Sequence, residues 1–101
     1  MHLIQILLPR ADNDGRPFAR EDFDRVKEEL ANRFKGVTAY LQAPAEGLWL
    51  QGAESARDDI IIFEVMAEEL ELADWHDRRA ELERRFRQDE VIIRYMPIGL
   101  V

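Results

Sequence analysis

Two stretches of this chain carry their apolar residues at intervals of three and four: Phe23, Val26, Leu30 and Phe34 in the first, and Trp75, Leu82 and Phe86 with the stem of Arg79 in the second. That spacing places each set on one stripe of an α-helix. Each stretch also lies between short runs rich in β-branched and aromatic residues. The resulting order is strand, helix, strand, then strand, helix, strand. Short, right-handed connections admit few arrangements of such a series, and they place both helices on one face of a single sheet.

The first run, His2 to Leu8, is apolar apart from Gln5 and stops at Pro9, which cannot donate a ladder hydrogen bond. Residues 10 to 17, RADNDGRP, read as a loop, because Asp, Asn, Gly and Pro favour turns. Pro17 can open the first helix, from Phe18 to Phe34, and Gly36 can end it. Val37 to Leu41 is the second strand. APAEGLWLQGAESARDD, at 43 to 59, follows as a long connection with a short strand at Leu48 to Leu50, bracketed by Pro44, Gly47 and Gly52. Asp59 to Met66, apolar on both faces except at Glu64, fits a central strand. A second helix starts near Asp74, whose carboxylate can cap it, and Glu90 to Met96 is the last strand. The whole has the connectivity of a ferredoxin-like α+β sandwich, βαββαβ, with an antiparallel sheet whose first and third strands are central. At 101 residues, positions 1–101 are expected to form one such domain.

The sheet face away from the helices carries most of the functional information. If Ile4, Ile6, Val37, Ala39, Leu41, Ile61, Phe63, Val65, Val91, Ile93 and Tyr95 point at the helices, the other face receives Leu3, Gln5, Leu7, Thr38, Tyr40, Ile60, Ile62, Glu64, Ile92, Arg94 and Met96. A sheet face open to water should be far more polar. The expected cover is a second copy, packed face to face about a two-fold axis to give a homodimer. Gln5, Glu64 and Arg94 are the polar exceptions, and the strand order sets Gln5 between the other two. One reading is a small-molecule site: Glu64 as proton acceptor, and so the candidate catalytic residue, Arg94 holding an anion, Gln5 orienting the ligand, and Tyr40 and Trp49 supplying aromatic area. The other is a polar network that sets the register of the dimer. For Pro44, Gly47, Leu48 and Trp49 the choice lies between a ligand lid and a turn whose tryptophan covers the sheet edge or the partner subunit.

Composition excludes more than it identifies. The formal charge of −7 disfavours nucleic acid and anionic lipid surfaces, and the absence of cysteine removes disulfides and thiolate chemistry. No apolar run approaches the roughly 20 residues of a membrane span. Neither that nor the amino-terminal sequence suggests a membrane or secreted protein, so a cytoplasmic one is expected. His2 and His76 are too far apart for a metal-ligand pair, and the acidic run at Glu68, Glu69 and Glu71 lacks a calcium-loop pattern, so neither a metal nor a cofactor is expected. DNDG at 12 to 15 reads as a turn, and no dinucleotide, phosphate-loop or hydrolase-elbow motif occurs.

FKGVTAY at 34 to 40, APAEGLW at 43 to 49 and FRQDEVIIR at 86 to 94 resemble small uncharacterised bacterial proteins classed as domains of unknown function. The likeness runs over nearly the whole chain. At the level of fold the chain is similar to the dimeric α+β barrel superfamily, which implies a dimer and includes cofactor-free monooxygenases, lactone isomerases and stress-responsive proteins. Three readings result: a homodimeric domain binding a small, partly apolar or anionic molecule between the open face and the 43–58 loop, a non-enzymatic self-association or regulatory module, and a cofactor-free monooxygenase or isomerase.

Overall fold

The computed structural model describes the backbone at every position except 35, 52 and 53, and the side chains outside 35 and 39–59. Its elements are β1 (His2–Pro9), α1 (Arg20–Arg33), β2 (Val37–Gln51), β3 (Glu54–Ala67), α2 (Leu72–Arg85) and β4 (Ile92–Pro97). The sheet order is β2-β3-β1-β4, with every neighbouring pair antiparallel. This is the expected α+β arrangement, with β1 and β3 in the centre.

Alternation along the central strands builds the core. Ile4, Ile6 and Leu8 of β1 and Ile61, Phe63 and Val65 of β3 are buried, and they meet Phe23, Val26 and Leu30 of α1 and Trp75 and Leu82 of α2 in one contiguous cluster. Phe86 and Val91, just past α2, belong to the same cluster. Phe86 packs edge-on against Phe18, with centroids 5.0 Å apart, and lies 5.5 Å from Phe23. Burying an aromatic ring in such a site stabilises the fold by several kcal/mol, on the order of 3–5 when judged by truncation to alanine. On the helix surfaces Arg85 Nη1 lies 2.8 Å from Glu29 Oε2, tying α2 to α1.

The largest departure from expectation is at residues 43–58. The described residues among them form no long loop with a short strand inside it. β2 and β3 run as one extended hairpin, paired from Val37↔Val65 to Gln51↔Glu54 with a register shift between Tyr40 and Ala45. Pro44 falls within that irregularity, on a strand at the edge of the sheet, where a missing N–H costs no ladder bond to an outer neighbour.

Smaller corrections concern element ends. Pro17 does not open α1: it forms an isolated bridge with Ala11, and the helix begins at Arg20 after Ala19. α2 begins at Leu72, with Glu71 at the N-cap and no side-chain cap bond, so Asp74 lies in the first turn instead of capping it. The last strand begins at Ile92, not Glu90. Tyr95 pairs with Ile4 on the helix-facing side, yet it is 50% exposed because β4 is an edge strand. Gly36 follows α1 at φ +90°, a left-handed conformation that L side chains resist. The DNDG segment is a turn: Asp12 Oδ1 accepts the backbone N–H groups of Asp14 and Arg16, each at 2.9 Å, and Gly15 has φ +83°.

Candidate functional site

Gln5 is the midpoint of the uncovered face. It pairs with Glu64 on one side and with Arg94 on the other, so three neighbouring strands each contribute one polar side chain to the same row. Gln5 Nε2 donates to Glu64 Oε2 at 2.6 Å, and Arg94 Nε donates to Gln5 Oε1, also at 2.6 Å. The amide thus links a carboxylate to a guanidinium through two charge-assisted hydrogen bonds. Thr38, paired with Glu64, extends the row to β2. Arg94 is exposed, and its Nη groups have no partner among the described residues.

Apolar side chains lie on both sides of the row. Met66, Leu3 and Met96 stand across the sheet toward one end, and Ile62, Leu7 and Ile92 toward the other. Met66, Ile92 and Met96 remain 38%, 44% and 42% exposed, which no lone water-facing sheet of this size requires. The face therefore combines apolar area, a carboxylate, an amide and a cation with free donors. That combination can hold a small molecule by contact and one or two directed hydrogen bonds, or it can meet a matching surface. Of the residues singled out in the sequence, Gln5, Glu64 and Arg94 come together. Tyr40 pairs with Ile62 and Trp49 with Ala56 by backbone register, but their side chains lie outside the described residues.

A cleft of about 540 Å³ elsewhere went unmarked in the sequence. It is lined by the end of α1, the end of β3 and the start of α2, among them Phe34, Trp75, Arg33, Arg78, Glu71 and Asp74. Phe34 and Trp75 stack at 5.2 Å and 15°, with the Arg78 guanidinium 5.8 Å from one ring and 5.4 Å from the other. A hydrogen bond with Asp74, and the negative charge there, raise the Glu71 carboxyl above its ordinary pKa, while Arg33 opposes the shift. Arg33 lies 3.4 Å from Glu71 and 3.7 Å from Asp74, in an arrangement open enough to water for the ion pairs to contribute little. These charged and aromatic groups are engaged with one another, and the arrangement accounts for itself as a seal over the core edge at Trp75. The only signal in the sequence was the pair of aromatics at the adjoining helix ends.

No family model and no curated protein matches the chain. Among solved structures it is similar to a phage SAM lyase in the apo state, with a TM-score of 0.62 and 14% identity over 94% of this chain and 78% of that one. A phage SAM lyase in complex with S-methyl-5'-thioadenosine matches with a TM-score of 0.57 and 16% identity, over 94% of this chain and 79% of the other. At such identities the likeness establishes a shared small α+β fold. No helix among the described residues is long and apolar enough to cross a membrane.

Proposed function

We propose that this protein associates with itself through the open sheet face and binds a small, partly apolar or anionic molecule beside the Glu64–Gln5–Arg94 row. The observation that carries the reading is the row itself: directed polar groups in the middle of an apolar face, with the Nη donors of Arg94 left over among the described residues. A ligand would contact Leu3, Leu7 and Ile92 and accept hydrogen bonds from Arg94. Glu64 would act as proton acceptor if a reaction occurs, as in a cofactor-free monooxygenase or isomerase. The resemblance to dimeric α+β barrel proteins and to small bacterial domains of unknown function agrees with self-association. The ligand-bound phage neighbour makes S-methyl-5'-thioadenosine, an apolar thioether on a flat base, a reasoned first probe.

The test is titration calorimetry of that nucleoside, and of a panel of small carboxylates, into wild type, Arg94→Ala and Glu64→Gln, with the solution mass of each protein measured alongside. Binding that is lost in Arg94→Ala at concentrations where the variant is still assembled supports the reading. An assembled protein that binds none of the panel, and whose mass falls in the two variants, favours the second reading, a self-association or regulatory module. The observation behind that alternative is that both hydrogen bonds of Gln5 are made within the row.

A further inference from the structure

The β2–β3 hairpin runs on past the sheet that supports it. β1 pairs with β3 only from Ala67 to Ile60, whereas β2 and β3 stay paired from Ala45↔Ile60 out to Gln51↔Glu54. Beyond Ile60 the described residues therefore form a ribbon of only two strands, about 20 Å long at ~3.3 Å per residue. A two-stranded ribbon by itself is at best marginal in water and needs a surface to lie on. Among the described residues no third strand of the same chain pairs with it there, since β1 stops at the Pro9↔Ile60 pair.

A second copy can provide it. Its open face is four strands across, or about 15 Å at ~4.8 Å per spacing, so the ribbon is long enough to cross it. The charges also match. Residues 45–60 contain Glu46, Glu54, Asp58 and Asp59 against Arg57 alone, and Glu46 pairs directly with Asp59, a like-charge opposition that disfavours the isolated ribbon. The open face presents Arg94, whose Nη donors have no partner among the described residues, with Glu64 held by Gln5 in the same row. Trp49 stands opposite Ala56, in the same alternate set of β3 positions as Ile60, Ile62 and Glu64.

We propose that the 45–60 ribbon of one copy lies across the open face of a second, so that each ligand site is shared: the Glu64–Gln5–Arg94 row comes from one chain and the ribbon segment with Trp49 from the other. A two-fold axis lets each chain lend its ribbon and receive its partner's, which closes the assembly. The inference rests on the self-association and ligand-binding reading given above and adds the partner's contribution to the site.

The chain has no cysteine, so introduced thiols report without background. A Trp49→Cys chain is mixed with an Ile92→Cys chain, treated with a short bismaleimide, digested and mapped by mass spectrometry, with sedimentation of the same mixture. Position 92 lies two residues from Arg94 on the same face. The expected result is a link between position 49 of one chain and 92 of the other. Ala56→Cys, at the position paired with Trp49, repeats the test with the tryptophan kept, and the same link to position 92 is expected. Sedimentation as an assembly with links only from 92 to 92 overturns the ribbon contact and leaves face-to-face association standing. A monomeric mass with no links overturns the ribbon contact and the association reading together.

Discussion

Replacing Gln5 with leucine tests the row at its centre. The strands carrying Glu64 and Arg94 flank β1, two inter-strand spacings or about 9.6 Å apart, and the Gln5 amide links the two charged groups across that gap. The variant therefore loses two hydrogen bonds, Gln5 Nε2 to Glu64 and Arg94 Nε to Gln5 Oε1. In the free chain these groups are partly or fully exposed, water replaces the lost partners, and the leucine gains some apolar contact, so folding stability should shift by no more than about 1 kcal/mol. In an assembly that covers the face, Glu64 and Arg94 would each be desolvated without the Gln5 amide that now bonds both. Removing one member of such a buried charged set costs roughly 2–5 kcal/mol, a loosening of at least about thirtyfold. Sedimentation across a concentration series, with thermal melts of the same samples, separates the two effects. A folded Gln5→Leu protein that associates as tightly as wild type would refute the reasoning. Converting Gln5, Glu64 and Arg94 all to leucine should abolish ligand binding in the same calorimetric assay, because the face then offers no directed hydrogen bond.

Phe86→Ala should lower unfolding free energy in urea by about 3–5 kcal/mol, because Phe86 is 2% exposed and closes the ring cluster with Phe18 and Phe23. Gly36→Ala should cost roughly 1–2 kcal/mol by the same assay: the space around it is open, so the loss arises from φ +90° and not from a clash. Asp12 has its pKa lowered below 3.8, chiefly by the Arg16 amide, with the Asp14 amide and Arg87 adding to it. Its stabilising effect is therefore present above the unfolded value and is lost as pH falls through the folded one, so Asp12→Asn should be less stable than wild type at neutral pH and the two urea midpoints should converge in strong acid. Glu71 runs the other way. Its raised pKa means the folded state favours the protonated form, so its contribution is present below 4.5 and is lost as pH rises through the folded value. Glu71→Gln should accordingly flatten the decline in urea midpoint across that range, and an unchanged slope would count against the Glu71–Asp74 contact.

Much of the architecture was legible because it follows from local periodicity. The three- and four-residue spacing of Phe23, Val26 and Leu30 marks a helix stripe whatever lies opposite, and alternation along His2–Pro9 decides which residues share a face. Once the strand order was inferred from connectivity, Gln5 had to stand between Glu64 and Arg94. Residues 43–58 differ from the expected loop for a physical reason. Pro44 and Gly47 are turn-forming residues, and nothing local reveals that they lie in an edge strand and its irregularity, where a missing donor or side chain is tolerated.

The sequence by itself therefore determined the elements, their order and the apolar character of both sheet faces, because these depend on residues a few positions apart. Only the tertiary structure decided that β2 and β3 pair as one long hairpin, that Gln5 bonds Glu64 and Arg94 at once, and that Phe34 stacks on Trp75 beside the Glu71–Asp74 pair. Those features join residues up to 89 positions apart, and such contacts exist only when the backbone ladder and the core have fixed where each strand and helix ends.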